Sequence, residues 1–114
     1  MARIKKVIID DIYQLKVTLS YSAPKIWRRI LVHGSCSLGE LHWVLQNVMG
    51  WDDSHLHSFR VGHYTYMSHE QNPDNVLEAK NELREILMNA APKPRSKLLY
   101  VYGFGGSWGC IVEL

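Results

Sequence analysis

The chain opens its readable pattern at Tyr13, Leu15, Val17 and Leu19, which alternate with Gln14, Lys16 and Thr18. A period of two with one polar side predicts a half-buried strand. Tyr21-Ser22-Ala23-Pro24 supplies turn residues. A second strand follows over Ile26 to Val32, whose faces are Ile26, Arg28, Ile30, Val32 and Trp27, Arg29, Leu31. Neither face is cleanly polar. The pattern predicts a strand covered on both sides, with arginine stems along apolar surface and their heads in water. The short connection predicts an antiparallel hairpin.

Ser37 to Glu40 reads S-x-x-E, a capping box, followed by Leu38, Leu41, Leu45 and Val48 at helical spacing. Gly50 stands where a left-handed residue would end that helix. His57, Phe59 and Val61 alternate as a third strand, and Gly62-His63 turns it into Tyr64-Thr65-Tyr66. Pro73 to Asn75, with Asp74 as cap, predicts a second helix carrying Val76, Ala79, Leu83, Ile86 and Leu87 on its buried side. Ala91 to Arg95 is a short stiff linker. Leu98–Tyr102 and Trp108–Leu114 read as the last two strands. The order ββαββαββ predicts an α+β fold with a mainly antiparallel sheet and two helices.

At 114 residues, 46% hydrophobic and 21% charged, the chain fits a single domain (1–114) with its own core. A formal net charge of +2 neither demands nor excludes nucleic acid. Cys36 and Cys110 lie far apart without CxxC partners, which predicts free thiols rather than a disulfide framework. No run of about 18 apolar residues marks a transmembrane helix. Val7-Ile8-Ile9 is too short a stretch, and Asp10 and Asp11 break it too soon, for a signal peptide. A cytoplasmic location without membrane association is the expectation.

Several constellations bear on chemistry. His55 and His57, two apart on a strand, would point to one side, as two ligands of a metal require. His42, Asp52 and Asp53 stand near enough in sequence to join, and His63 is a further candidate. The plainer alternative is that His55 bonds within the corner while His57 packs beside Phe59. Gly103 to Gly109 is glycine-rich, yet it matches neither phosphate-loop spacing, and a hairpin turn explains it as well. Trp27, Arg28 and Arg29, with Lys25 nearby, offer an aromatic-basic patch for nucleic acid, to which Lys93, Arg95 and Lys97 could add. Cys36 just before the capped helix, with His33 or His42 as base, is a weak nucleophile arrangement without an oxyanion hole.

The ordered set Tyr13-Gln14-Leu15-Lys16-Val17, Pro24-Lys25-Ile26-Trp27-Arg28-Arg29, Leu38-Gly39-Glu40-Leu41-His42, Met49-Gly50-Trp51 and His55-Leu56-His57-Ser58-Phe59 resembles the plasmid pRiA4b ORF-3-like family. Tyr102 to Trp108 resembles that family's Tyr-Asp-Phe-Gly-Asp-Ser-Trp-Glu-His signature. The resemblance implies a protein without an established activity, found on plasmids, beside mobile elements and on chromosomes. Gly103, Gly106, Gly109 and Cys110 replace the Asp, Asp, Glu and His usual there, and the family's Cys- and Pro-containing tail does not follow Leu114. A shortened or degenerate member is therefore expected.

These readings lead to a non-enzymatic binding or interaction module, associated with mobile DNA, that needs no cofactor. Its interaction face would comprise Trp27, Arg28, Arg29, Trp51, His55 and His57, for a protein or nucleic-acid partner. The rival is a divalent-metal or enzyme-like site of His42, Asp52, His55 and His57. A weak DNA-binding protein is a third reading. A truncated final strand at the sheet edge would also offer a route to a homodimer.

Overall fold

The computed structural model describes residues 11–20, 22–75, 77–103 and 109–114. Alternating patterns become strands β1 (Ile12–Leu19), β2 (Trp27–His33), β3 (His57–Val61), β4 (Tyr64–Met67), β5 (Lys80–Asn81), β6 (Lys97–Tyr102) and β7 (Gly109–Glu113). Helices α1 (Leu38–Met49) and α2 (Leu87–Ala90) complete an α+β fold, with a 3-10 turn over Glu82–Arg84. One seven-stranded sheet runs β2-β1-β7-β6-β3-β4-β5. All its pairings are antiparallel except β4 with β5.

Register decides which residues share a face. Val17 pairs with Val112, Leu98 with Val112, Tyr100 with Cys110, Phe59 with Tyr100 and His57 with Tyr102. That side meets α1 through Leu38, Leu41 and Leu45, and Leu15, Val17, Phe59 and Tyr100 are fully buried within it. Removing such side chains from water is the main source of stability here.

The cap of α1 forms as its sequence predicts. Glu40 N–H donates to Ser37 Oγ at 3.0 Å, and Ser37 N–H donates to Glu40 Oε1 at 2.8 Å. Gly50 takes φ 71°, and Trp51 N–H closes onto Gln46 O at 2.9 Å. A side chain at that left-handed position would be strained, which glycine avoids.

Three expectations change. The helix predicted from Pro73 is absent. Asn75 and Glu78 have φ of 52° and 48°. Side-chain oxygens of Asn72 and Asn75 take the backbone N–H groups of Leu77 and Ala79. Asparagine side chains thus capture donors that a helix would need. Only Leu87–Ala90 of that region is α-helical, and Leu83 is exposed. The order becomes ββαβββαββ, with the 3-10 turn before the second helix.

Strand β2 is not covered on both sides, because Trp27, Arg29 and Leu31 lie open. Leu31 is 68% exposed. The final strand is also no edge: β7 lies between β1 and β6, and the edges are β2 and β5. The dimer route through a terminal edge strand therefore loses its basis. Among the described residues, no helix is long and apolar enough to cross a membrane.

Candidate functional site

Two places gather chemistry, one on each side of the sheet. The side away from α1 carries Lys16, Trp27, Arg29, Leu31, Lys97, Leu99, Ile111 and Arg60, all exposed. Cross-strand pairing sets Lys16 opposite Arg29, Thr18 opposite Trp27, Leu99 opposite Ile111 and Arg60 opposite Leu99. Lys16 Nζ and Arg29 Cζ each stand 5.3 Å from the Trp27 ring centre. Cations over an indole face are attracted by its quadrupole. Glu113 is the carboxylate of this face among the described strand residues.

Arg28 does not belong to that face. It pairs with Val17, whose side chain points to the core, and its guanidinium donates to Trp27 O at 2.9 Å. Trp51 stacks on Tyr102 at 4.8 Å, His55 meets Tyr102 edge-on, and His57 is buried. Of the six residues predicted as one interaction face, the structure brings Trp27 and Arg29 together on the open side. The other four lie elsewhere.

The second place is polar and buried. In α1, His42 and Gln46 follow Leu38 at i+4 and i+8, which turns both toward the sheet. His42 is 2% exposed. Its Nδ1 lies 2.7 Å from Tyr100 Oη and its Nε2 lies 2.9 Å from Asp53 Oδ1. Gln46 Nε2 donates to Tyr100 Oη at 2.7 Å, and Asp53 N–H donates to Gln46 Oε1 at 2.7 Å. With Nε2–H assigned to a neutral His42, the ring closes: the Tyr100 hydroxyl donates to Nδ1 and accepts from Gln46. Burial holds His42 below the usual imidazole range, and the neighbouring His57 adds to this, while Asp53 and Glu82 oppose it. Burial pushes the Tyr100 hydroxyl well above its ordinary value.

Beside His42 lies His57, its ring stacked at 3.6 Å between centres and 11° between planes. His57 Nε2 meets Glu82 Oε1 at 2.7 Å, both side chains being buried. His42, Asp53 and His57 can each present a ligand atom within 4.8 Å of the others.

That trio replaces the predicted metal set. Asp52 is exposed and accepts from the Tyr102 hydroxyl at 3.3 Å. Asp53 points inward instead, because its φ of 56° bends the corner back toward α1. His55 precedes β3, so the two-residue strand spacing does not apply, and it is exposed while His57 is buried. His63 is exposed in the β3–β4 turn. Sequence reasoning missed Gln46, Glu82 and Tyr100. The helical spacing from Leu38 could have flagged Gln46, whereas Glu82 sat inside the misassigned helix.

The Cys36 nucleophile reading fails on electrostatics. Burial, with Glu40 adding to it, pushes this thiol up to about 11, opposite to an activated thiolate. The glycine-rich run 104–108 lies outside the described residues. A groove of about 630 Å³ beside β4 and β5, lined by His69, Lys80, Arg84 and Glu85 among others, shares no residue with the histidine cluster.

Residues 11–114 match the model of a family described as Plasmid pRiA4b ORF-3-like protein. An uncharacterised protein, y4hQ of Sinorhizobium fredii, is 34% identical over 103 residues, covering 89% of this chain and 52% of its own length. The chain thus spans about half of that relative. The crystal structure of a protein of unknown function, MM3350 from Methanosarcina mazei, superposes with a TM-score of 0.77 at 27% identity. It covers 94% of this chain and 61% of its own.

Proposed function

The chain belongs to the plasmid pRiA4b ORF-3-like family, and we propose that it is a non-enzymatic binding module taking single-stranded nucleic acid on its open sheet face. The observation that carries this reading is Trp27, 44% exposed, with Lys16 and Arg29 beside its ring. A base can stack on an exposed ring regardless of sequence, and cations along the same face can follow the phosphates. Arg60 and Lys97 extend the positive surface across β3 and β6. The buried polar groups of His42, Gln46, His57 and Tyr100 lie on the other side of the sheet.

The test is fluorescence anisotropy with a labelled oligothymidine at low salt. Affinity should fall with salt at a log–log slope of about −2 to −3, the value for three to four phosphates on a single strand. Trp27→Ala should cost about 1–3 kcal/mol, and Arg29→Ala should flatten the salt slope. Absence of binding at low salt, or affinity untouched by Trp27→Ala, would reject the reading. In that case the apolar residues Leu31, Leu99 and Ile111 beside Trp27 would point to a protein partner instead.

A further inference from the structure

We propose that the buried histidine pair is a site for one divalent transition-metal ion of the zinc type, held by His42, Asp53 and His57 with Glu82 behind them. This is independent of the nucleic-acid face. Two imidazoles and a carboxylate are the donor set of open zinc sites, which leave a fourth position to water. Calcium and magnesium, which want several oxygen donors, do not suit it.

The second observation is a missing partner. His57 Nδ1 is buried and, among the described residues, is the fully buried side-chain polar atom without a hydrogen bond. Leaving such a group unsatisfied is costly. Here the opposite nitrogen, Nε2, is already held by Glu82. His42 shows the same division: Tyr100 Oη holds Nδ1, and Nε2 faces Asp53. Metal-ligating histidines characteristically fix one nitrogen on an outer carboxylate or hydroxyl and give the other to the ion. His57 is prepared that way, and His42 becomes so once its proton sits on Nδ1. The Tyr100 hydroxyl can donate or accept, so it supports His42 in either tautomer.

Access and geometry also have a reading. Asp53, with a side chain 27% exposed, is the member of the trio that reaches solvent, so an ion would arrive past the Asp52–Asp53 corner. An ion lies in the plane of each imidazole that binds it. Rings 3.6 Å apart and nearly parallel therefore cannot both do so as they stand. One ring tips when the ion enters, and the 2.9 Å contact between His42 Nε2 and Asp53 opens to admit it. His42 passes to its other tautomer in that step: Nε2 gives up its proton, Nδ1 takes one and donates it to Tyr100 Oη, and the ring stays neutral.

Chelator-treated full chain is titrated with Zn²⁺ by calorimetry, and with Co²⁺ by visible absorption. The expected result is one ion per chain, tetrahedral-type cobalt bands, and a zinc-dependent rise in Tm. Asp53→Asn preserves a hydrogen bond to His42 but removes ligand charge, and should weaken binding at least tenfold. Glu82→Gln should weaken it about 10–100-fold, as outer partners do. His55→Ala and His69→Ala, at exposed positions, should change nothing. No uptake by the wild-type chain overturns the proposal. So does binding that survives Asp53→Asn, or that disappears with the exposed histidines. Because Asp53 lies at the margin of the cluster, its variant is expected to fold even if His57→Gln does not.

Discussion

Tyr100 and Tyr102 sit two apart on β6, point to the same side and are both buried, yet their hydroxyls have different partners. Tyr100→Phe leaves Gln46 Nε2 and His42 Nδ1 without their 2.7 Å contacts, and both residues are 3% exposed or less. Each abandoned buried group costs about 1–3 kcal/mol. The two together give a loss of roughly 3 kcal/mol after partial relaxation. Tyr102→Phe removes a donor to Asp52 and an acceptor for Ser54 N–H, but both partners are exposed. Water replaces the lost hydroxyl there, so the cost should be about 0.5–1.5 kcal/mol. Urea unfolding followed by tryptophan fluorescence measures both. With a slope of about 1–3 kcal/mol per M, Tyr100→Phe should lower the midpoint by about 1–3 M, at least twice the shift for Tyr102→Phe. Equal shifts, or a larger one for Tyr102→Phe, would show that the buried ring of hydrogen bonds does not stabilise the fold as argued.

Two further outcomes follow from buried titratable groups. Burial pushes the Cys110 thiol up to about 12, and Cys36 stands at about 11. Thiol titration of native protein near pH 8 should therefore be slow at both and rapid after denaturation, and immediate native reaction would contradict this placement. His42, faced by Asp53, His57, Glu82 and Tyr100, takes its proton less readily when folded than when unfolded. Its contribution is complete above the ordinary imidazole value of about 6.5 and is lost as pH falls from there toward the lowered folded value, by at most about 1.4 kcal/mol per pH unit. Calorimetric Tm in chelator should be level near pH 7–8 and fall below about 6.5. His42→Gln should reduce that fall, and a Tm that rises on acidification would refute the assignment.

What the sequence disclosed depended on how local the signal was. The alternation at Tyr13–Leu19 and the Ser37–Glu40 box are encoded within a few residues, and both appear as expected. The stretch from Pro73 carried apolar residues at helical spacing. Its outcome turned on whether Asn72 and Asn75 would bond to their own backbone, a competition that spacing does not reveal. The candidate site was half legible. His42 and His57 could be named, but their meeting needs the register of β3 against β6 and the docking of α1. Choosing Asp53 over Asp52 rests on one backbone angle. Glu82 reaches His57 from a segment whose fold was misread. The uncovered face went unseen because Leu31, Leu99 and Ile111 are apolar residues left in water, which pattern reading assigns to the interior.

The central seat of β7 has a consequence for biosynthesis. Before Gly109–Glu113 is in place, the β1–β2 hairpin and the β6-β3-β4-β5 group have no strand joining them. During translation the two halves wait as separate pieces, each with an unpaired rim of peptide groups open to other nascent chains. Joining them pairs residues from opposite ends of the described chain, so the ribosome must release nearly all of it before the sheet can close. Such late closure makes the step slow by its long-range topology and gives chaperones a defined interval in which to act.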